Sequence, residues 1–336
     1  MAKKNPPVKF DDSYWEGRKV FITGGTGLVG SWLIKDLLLK KADIVALIRD
    51  ADPQSELFRS GDIKKISAVS GNLEDYKTIE RAVNENEIET IFHLGAQAIV
   101  NVAHRNPLHT FEVNIRGTYN VLEAARVHSE MVKSIVIASS DKAYGTHKKL
   151  PYTETMRLAG SHPYDVSKSC ADSLAQSYYQ TYNLPVGITR CGNIFGGGDL
   201  NWSRIVPGTI KSLYFNESPV IRSDGTFIRD YIYVKDIVRS YEKLSESLNV
   251  KSLQGQSFNF SNQSPKSVVD IVRMIQSLMK KDIPSDIQNC AKNEIQSQYL
   301  SSEKARRILQ WVPKYSLEEG LKETISWYTG YLSGMN

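Results

Sequence analysis

The sequence predicts an α/β protein with a doubly wound parallel sheet, and two features of residues 1–190 predict it. Short runs of β-branched and aromatic residues alternate there with longer segments whose apolar residues recur at helical spacing. A glycine-rich turn joins the first such run to the first helical segment. Strands that alternate with helices pair in parallel, and the helices cover both faces of the sheet. After residue 190 the alternation weakens, which indicates a smaller C-terminal α/β lobe.

Each element of this pattern can be placed from its residues. The β-branched and aromatic runs predict strands at Lys19–Thr23, Asp43–Ile48, Ile66–Val69, Thr90–Leu94, Ser134–Ala138 and Val186–Thr189. Helical periodicity predicts helices at Ser31–Leu39, Tyr76–Asn84, Val113–Arg126, Asp165–Tyr182, Val268–Lys280 and Leu317–Tyr331. No sharp linker separates the two halves, so we expect residues 1–190 and 191–336 to form two lobes that interleave.

Composition and charge narrow the function classes. Hydrophobic residues make up 41% of the 336 residues, which allows a core that needs neither a disulfide nor a metal. The net charge of +5 comes from scattered Lys and Arg, so nucleic acid is not an expected partner. Cys170, Cys191 and Cys290 form no Cys-x-x-Cys pair and have no accompanying His cluster, which argues against zinc and fits a reducing compartment. Residues 1–12 are polar and no run approaches ~20 apolar residues, so we expect a cytoplasmic protein without a membrane partner.

Gly24, Gly27 and Gly30 form a Gly-x-x-Gly-x-x-Gly pattern between the first predicted strand and the first predicted helix. The first glycine permits a tight turn, the second lets the backbone approach a pyrophosphate, and the third lets the helix pack on the strand. The pyrophosphate would then lie at the positive end of the helix, as in Rossmann folds. At the end of the second strand an acid holds the ribose of NAD, whereas an arginine accepts the extra phosphate of NADP. Arg49 and Asp50 offer both, and we favour NAD while NADP stays open.

Tyr164 and Lys168 are four residues apart at the start of a predicted helix, so both side chains share one face. A nearby ammonium favours the phenolate, so we expect the pKa of Tyr164 to fall toward neutrality and the residue to act as a base. Ser140, at the end of the preceding strand, supplies the hydroxyl that completes the set. His93 ends the fourth predicted strand and is interpreted as a packing or cofactor-wall residue rather than as a base.

Five further segments, in the same order along the chain as the glycine turn, serine, tyrosine and lysine, make the pattern specific to one protein family. They are Thr23–Gly30, His93–Gln97, Asn114–Thr118, Arg190–Gly196 and Arg229–Asp236. Together with the serine, tyrosine and lysine, they resemble the short-chain dehydrogenase/reductase superfamily, in its extended branch of NAD-dependent epimerases and dehydratases of nucleotide sugars. The resemblance covers nearly the whole chain. It implies that the first lobe binds the dinucleotide and that the second mainly binds the nucleotide sugar. It also implies a homodimer formed through the predicted helices at Val113–Arg126 and Asp165–Tyr182.

The resemblance also implies which residues contact each ligand. The cofactor contacts that it implies are Gly24, Thr26, Gly27, Leu28, Val29, Arg49, Asp50, Asn72, Leu73, Leu94, Gly95, Ala96, Tyr164 and Lys168. The substrate contacts that it implies are Gln97, Asn193, Arg204 and Arg229. Of these, Asn193 and Arg229 would approach the diphosphate, and no metal ligand is implied.

The segment Ser139–Gly145, which reads Ser-Ser-Asp-Lys-Ala-Tyr-Gly, separates the classes within the branch. The 4,6-dehydratases carry a hydroxyl residue followed by an acid, here Ser140 and Asp141, and epimerases usually lack that acid. Most dehydratases of dTDP-glucose and GDP-mannose continue with glutamate, whereas this chain has Lys142. In having Asp141 followed by Lys142, the segment resembles that of the CDP-glucose 4,6-dehydratases and also that of the inverting UDP-N-acetylglucosamine dehydratases. We favour CDP-glucose, but the segment at Arg229 is closer to the general branch, so the nucleotide stays open.

The implied reaction converts a nucleotide-hexose into a 4-keto-6-deoxyhexose. Tyr164 takes the proton of the 4-hydroxyl as hydride leaves C4, and Ser140 and Lys168 stabilise the oxyanion. Asp141 protonates the departing 6-hydroxyl, and hydride returns to C6. Lys142 either takes the C5 proton or pairs with Asp141 to position it. The alternative enzyme is a nucleotide-sugar 4-epimerase that uses the same serine, tyrosine and lysine, and the non-enzyme alternative is a cofactor-binding scaffold.

Overall fold

The computed structural model describes residues 13–290 and 295–334, so the expectation for residues 1–12 lies outside the described part. The strands are β1 (Lys19–Thr23), β2 (Asp43–Ile48), β3 (Ser67–Ser70), β4 (Thr90–His93), β5 (Ser134–Ala138), β6 (Val186–Cys191), β7 (Asn193–Phe195), β8 (Val220–Ile221), β9 (Ile228–Arg229), β10 (Tyr231–Tyr233), β11 (Ser257–Phe260), β12 (Lys266–Ser267), β13 (Asp286–Ile287) and β14 (Ser297–Gln298). The α-helices are α1 (Leu28–Leu39), α2 (Glu56–Arg59), α3 (Tyr76–Glu85), α4 (Val100–Arg105), α5 (Pro107–Phe111), α6 (Gly117–Val127), α7 (Pro163–Tyr182), α8 (Ile205–Tyr214), α9 (Val234–Ser247), α10 (Val268–Met279), α11 (Glu303–Leu309) and α12 (Leu317–Ser333). Short 3-10 turns lie at Asp62–Lys65, Asp141–Tyr144 and Lys251–Leu253, and a π-helical turn lies at Glu112–Arg116.

Seven strands form one parallel sheet in the order β3-β2-β1-β4-β5-β6-β11. The order runs outward in both directions from β1 and β4, so the chain leaves these two strands toward opposite faces. A crevice therefore opens at their carboxyl ends, which is where doubly wound sheets bind ligands. Thr23 and His93 are the last aligned pair across this point. The predicted doubly wound parallel sheet is confirmed.

The alternation along β1 shows how the sheet is buried on both faces. Val20 and Ile22 belong to one apolar cluster with Leu33 of α1, whereas Phe21 belongs to the opposite cluster with Val121 of α6. All of these side chains are fully buried. Because burying one such side chain contributes roughly 1.5–3 kcal/mol, the two clusters hold α1 and α6 firmly on opposite faces of the sheet.

The second half of the chain contributes to both lobes. Strand β11 pairs with β6 at the edge of the central sheet, and Leu244 of α9 packs in the same cluster as Val20. Helices α8, α10 and α12 enclose a separate cluster that includes Ile210, Ile275 and Tyr328. This smaller lobe lies against the crevice, because the first residues of α8 line it.

Among the helices that the sequence predicts, two differ most from the observed ones in where they begin. Helix α1 begins at Leu28 rather than Ser31, because Gly27 adopts the extended backbone of a helix N-cap (φ −78°, ψ 173°). The helix predicted at Val113–Arg126 begins with the π-helical turn Glu112–Arg116 before α6. Apolar periodicity alone does not separate a single π turn from an α-helix. Within the described ranges, no helix has both the length and the apolar character needed to cross a membrane.

Candidate active site

One cleft of about 680 Å³ lies at the carboxyl ends of the central strands and extends to the smaller lobe. It brings together residues from both halves of the chain. The predicted site residues that line it are Gly24, Thr26, Gly27, Leu28, Val29, Arg49, Asp50, Leu73, Leu94, Gly95, Ala96, Ser140, Asp141, Lys142, Tyr164, Lys168, Asn193, Arg204 and Arg229. The predicted cofactor residues and the predicted catalytic residues therefore share a single space.

Two predicted site residues, Asn72 and Gln97, are not part of this lining. The Gln97 side chain is occupied locally, since its Oε1 accepts from the backbone N–H of Ile99 at 2.5 Å and its Nε2 donates to the Ile99 carbonyl at 3.1 Å. The carbonyl of Asn72 accepts from the N–H of Asp75 at 3.2 Å in the turn before α3. A motif identifies a segment but not the direction of each side chain in it, so the ligand contacts of these two residues stay predictions.

The glycine turn is packed so tightly that side chains are excluded. Gly24 has a positive φ of 76°, and a Cβ added there would lie 2.7 Å from the backbone nitrogen of Gly95. A Cβ added at Gly30 would lie 2.1 Å from the Gly24 carbonyl oxygen. Gly27 offers no side-chain cap to the first N–H groups of α1, whose first turn lines the cleft. Exposed backbone and uncapped N–H groups at a helix start are the arrangement that receives a pyrophosphate, so these residues fit a dinucleotide.

Arg49 and Asp50 stand at the end of β2 on the open rim of the cleft. The Arg49 Nε lies 2.6 Å from Asp50 Oδ2, and both side chains are more than half exposed. The carboxylate expected to hold an NAD ribose and the guanidinium expected to accept an NADP phosphate are therefore paired with each other. Either group is available at this rim.

The catalytic candidates converge where β5 ends and α7 begins. The Ser140 hydroxyl donates to Asp141 Oδ1 at 3.1 Å and accepts from the Lys142 N–H at 3.2 Å, which caps the 3-10 turn that follows. Lys168 Nζ donates to the Ala138 carbonyl at 2.8 Å, which ties α7 to β5. Tyr164 lies one helical turn before Lys168 and within hydrogen-bonding reach of Ser140.

The expectation that the pKa of Tyr164 falls toward neutrality is wrong. Burial raises the pKa of the phenol to about 12, and the charge of Arg204 and the hydrogen bond with Ser140 oppose this only in part. Burial also lowers the pKa of Lys168 to about 8. The physical reason is that the charged form of each group loses water on burial, and this cost dominates both shifts. Both residues lie on α7, four positions apart, and line the cleft.

Asp141 is buried, and burial raises the pKa of its carboxyl group. The charges of Lys142 and Arg229 and the hydrogen bond from Ser140 oppose the shift without cancelling it. A carboxyl group that retains its proton more readily than in water is suited to donate it to a leaving hydroxyl. The environment of Asp141 therefore fits a general acid.

Lys142 is held by a residue that the sequence pattern did not identify. Its Nζ donates to Gln298 Oε1 at 2.7 Å, and Gln298 is fully buried. Strand β14 carries Gln298 beside Arg229 of β9, so one short sheet holds a partner of Lys142 and a predicted diphosphate ligand together. No local signal marks this glutamine, because it is 156 residues from its partner in the chain.

Arg204, Arg222 and Arg229, all from the second half of the chain, line the cleft. Arg229 is buried, and its Nη1 donates to the carbonyls of Ile228 and Gln296 at 2.9 and 3.2 Å. Arg204 pairs with Asp199 at 3.0 Å. Arg222, which the sequence analysis missed, lines the same space. Guanidinium groups bind phosphate oxygens through charge-assisted hydrogen bonds, so the cleft beside these arginines suits a diphosphate.

A family model described as GDP-mannose 4,6 dehydratase matches residues 21–324. The chain belongs to this family. The predicted membership of the extended short-chain dehydrogenase/reductases is thereby confirmed, and so is the prediction that the chain is an enzyme.

This family member is 28% identical to the CDP-glucose 4,6-dehydratase of Salmonella typhimurium over 342 residues, which span 96% of the chain and 94% of that enzyme. The structure of dTDP-glucose 4,6-dehydratase from Bacillus anthracis in complex with NAD matches with a TM-score of 0.82 at 25% identity, covering 93% of this chain and 97% of that one. The UDP-glucose 4-epimerase of Thermotoga maritima with UDP-glucose matches with a TM-score of 0.84 at 25% identity, covering 94% and 99%. Dehydratases and epimerases therefore share this fold.

Proposed function

We propose that the protein is an NAD-dependent nucleotide-sugar 4,6-dehydratase, with CDP-glucose as the favoured substrate. One observation carries the proposal: the buried carboxyl group of Asp141, with its raised pKa, lines the same cleft as Ser140, Tyr164 and Lys168. Oxidation at C4 needs only the last three residues, whereas loss of the 6-hydroxyl also needs an acid. The similarity to the CDP-glucose 4,6-dehydratase of Salmonella typhimurium supports the choice of nucleotide.

The glycine turn supports a dinucleotide, and the favoured one is NAD, with NADP as the second choice. The related structure from Bacillus anthracis is a complex with NAD, and Asp50 offers the carboxylate that a ribose requires. A bound nicotinamide would accept hydride from C4 and return it to C6. We propose that residues 1–190 bind this cofactor and that residues 191–336 mainly bind the nucleotide sugar.

In the first half of the reaction Tyr164 takes the proton of the sugar 4-hydroxyl. Lys168 and Ser140 donate hydrogen bonds to the oxygen as it gains negative charge. The phenol itself has a pKa of about 12, so it must lose its proton before it acts as a base. A bound oxidised nicotinamide would favour that loss through its positive charge.

In the second half the 4-keto group acidifies the C5 proton. Asp141 transfers its proton to the 6-hydroxyl, which leaves as water while the C5–H electrons form the C5–C6 double bond. Lys142 has two candidate roles: its amine takes the C5 proton, or its charge positions Asp141, whose pKa it lowers, and another base then takes the C5 proton. Hydride at C6 and a proton at C5 then complete the 4-keto-6-deoxyhexose.

A panel of nucleotide-hexoses tests the proposal. Purified protein with added NAD should convert at least one of them to a 4-keto-6-deoxy product detected by NMR, and CDP-glucose should be consumed fastest. Faster consumption of a dTDP-, UDP- or GDP-hexose would overturn the choice of nucleotide. The absence of any 4-keto product would overturn the dehydratase proposal.

A nucleotide-sugar 4-epimerase is the second candidate, favoured by the match to the UDP-glucose 4-epimerase of Thermotoga maritima. An epimerase needs Ser140, Tyr164 and Lys168 but no acid at Asp141. It would interconvert C4 epimers without loss of water, so the same panel separates the two. Turnover of either kind excludes a cofactor-binding scaffold.

We also propose a homodimer that buries the outer surfaces of α6 and α7. Tyr119 and Val127 of α6 and Tyr182 of α7 are exposed, and a second copy of the chain that packs on these two helices would cover them. Sedimentation at micromolar concentration should give twice the chain mass, and a monomer would contradict the proposal. The cytoplasmic location stays a prediction.

A further inference from the structure

A chain of buried hydrogen bonds crosses the molecule behind the cleft, at the point where β1 and β4 end side by side. The Thr23 hydroxyl lies 2.9 Å from His93 Nδ1, and His93 Nε2 lies 3.0 Å from the Thr118 hydroxyl. The three side chains are buried, at 0%, 3% and 2% exposure. An imidazole in such a place is costly unless both of its nitrogens are paired, and here both are.

The chemistry of the neighbouring groups fixes the direction of the bond at His93 Nε2. The carbonyl of Asn114 only accepts, so the Thr118 hydroxyl, at 2.6 Å, donates to it. The Thr118 oxygen is then the acceptor for N–H at His93 Nε2, and Nδ1 accepts from the Thr23 hydroxyl. The Thr23 oxygen in turn accepts from the Gly95 N–H at 3.0 Å. The acceptor role of Nδ1 follows from the neutral state of the ring, since burial lowers the pKa of His93 to about 3 and the one proton is then on Nε2.

The two ends of this series of hydrogen bonds reach the two halves of the active site. At one end, Gly95 presses against the glycine turn, where a Cβ on Gly24 would meet the Gly95 nitrogen at 2.7 Å. At the other end, the Asn114 side chain donates to the Ser167 hydroxyl at 2.9 Å, and that hydroxyl donates to the Tyr164 carbonyl at 2.7 Å. Asn114 lies in the π-helical turn before α6, and such turns often occur at functional sites.

We propose that His93 is a positioning residue, which acts through Thr23 and Thr118 to hold the glycine turn and the start of α7 at a fixed separation. The proposal rests on the proposed function, because that separation sets how the sugar carbon meets the cofactor beside Tyr164. A residue that merely fills space at this position has no need of two oppositely directed hydrogen bonds. The imidazole supplies one acceptor and one donor on opposite sides of a rigid ring, which is what the two threonines require.

The test compares His93→Gln with His93→Leu. A glutamine amide carries an acceptor oxygen and a donor nitrogen, so it can restore both bonds, whereas leucine fills the space and restores neither. We expect His93→Leu to weaken NAD binding and to lower kcat, each by about tenfold, and His93→Gln to stay within about threefold of the wild type in both. NAD affinity is measured by fluorescence titration of the folded protein without substrate, and folding is checked by circular dichroism.

Equal NAD affinity in the two variants would overturn the positioning role, whatever the substrate is. A wild type that binds NAD but converts no nucleotide-hexose would instead overturn the proposed function, and the affinity comparison would still stand.

If neither His93 variant folds, Thr23→Val and Thr118→Val test the same series of hydrogen bonds from its two ends. Their combined effect on kcat/KM should be smaller than the product of the single effects, because either change already breaks the chain, and independent effects would contradict the proposal.

Discussion

The two ends of the cleft are built by different means. The cofactor end is made of backbone, since Gly24 and Gly30 exclude side chains and the first turn of α1 presents its N–H groups. The sugar end is made of side chains that come from distant parts of the chain, such as Lys142 and its partner Gln298. A backbone site is encoded in one short stretch of sequence, whereas a side-chain site depends on tertiary contacts. Substitutions should therefore affect affinity for the cofactor at one end and the rate of chemistry at the other.

The largest effect should come from Tyr164→Phe. The substitution keeps the ring in its buried place but removes the phenolic oxygen, which in its deprotonated form is proposed to take the proton of the 4-hydroxyl. We expect kcat to fall by ~10²-fold or more, while the affinity for NAD changes much less because the glycine turn is untouched. Steady-state kinetics and an NAD titration measure the two quantities. A rate near that of the wild type would reject Tyr164 as the base.

Asp141→Asn should stop the reaction after oxidation at C4 and before the loss of water. Asparagine keeps the size and part of the hydrogen bonding of Asp141 but supplies no readily transferred proton. Oxidation at C4 should survive, so reduced cofactor absorbing near the usual NADH band should persist after substrate is added, and product release should fall by roughly 10²-fold.

The matched control is Asp165→Asn, since Asp165 is also buried in the cleft lining and burial also raises the pKa of its carboxyl group. It should retain most of the rate. An Asp141→Asn protein that releases product at an undiminished rate would contradict the acid role.

Alanine substitutions at two glycines test whether NAD binding depends on the close contact between Gly24 and the backbone of Gly95. Gly24 and Gly61 both have φ of 76°, but a Cβ on Gly24 meets the Gly95 nitrogen at 2.7 Å, whereas a Cβ on Gly61 meets nothing within 4 Å. Alanine costs a positive-φ strain of ~1 kcal/mol at either position. Only Gly24→Ala should also weaken NAD binding, by about tenfold, with kcat at saturating NAD less affected. Equal NAD affinities in the two variants would show that the turn does not depend on this contact.

The smallest effect should come from Gln298→Leu, which removes the amide that holds Lys142. We expect kcat to fall by only several-fold, because a single neutral hydrogen bond is worth roughly 0.5–1.5 kcal/mol. If Lys142 takes the C5 proton, incorporation of solvent deuterium at C5 should slow in proportion to kcat. Unchanged incorporation alongside a lower kcat would assign Lys142 to the positioning of Asp141 instead.

Features that depend on a short stretch of sequence could be predicted, whereas features that depend on tertiary contacts could not. The strand at Lys19–Thr23 and the turn to Gly30 were predictable, because β-branched alternation and glycine spacing are local. The π-helical turn at Glu112–Arg116 was not, since one residue of extra winding leaves the apolar pattern almost unchanged. The pKa of Tyr164 was predicted in the wrong direction, because i,i+4 spacing reports a neighbour but not the loss of water on burial.

Deuterium placed at C4 of the nucleotide-hexose tests the central claim most directly. In a 4,6-dehydratase the hydride removed from C4 returns to C6 of the same molecule. The account therefore predicts a 4-keto-6-deoxy product with the deuterium in its C6 methyl group, as detected by NMR. Deuterium that remains at C4 of an epimerised sugar, with the 6-hydroxyl retained, would contradict it.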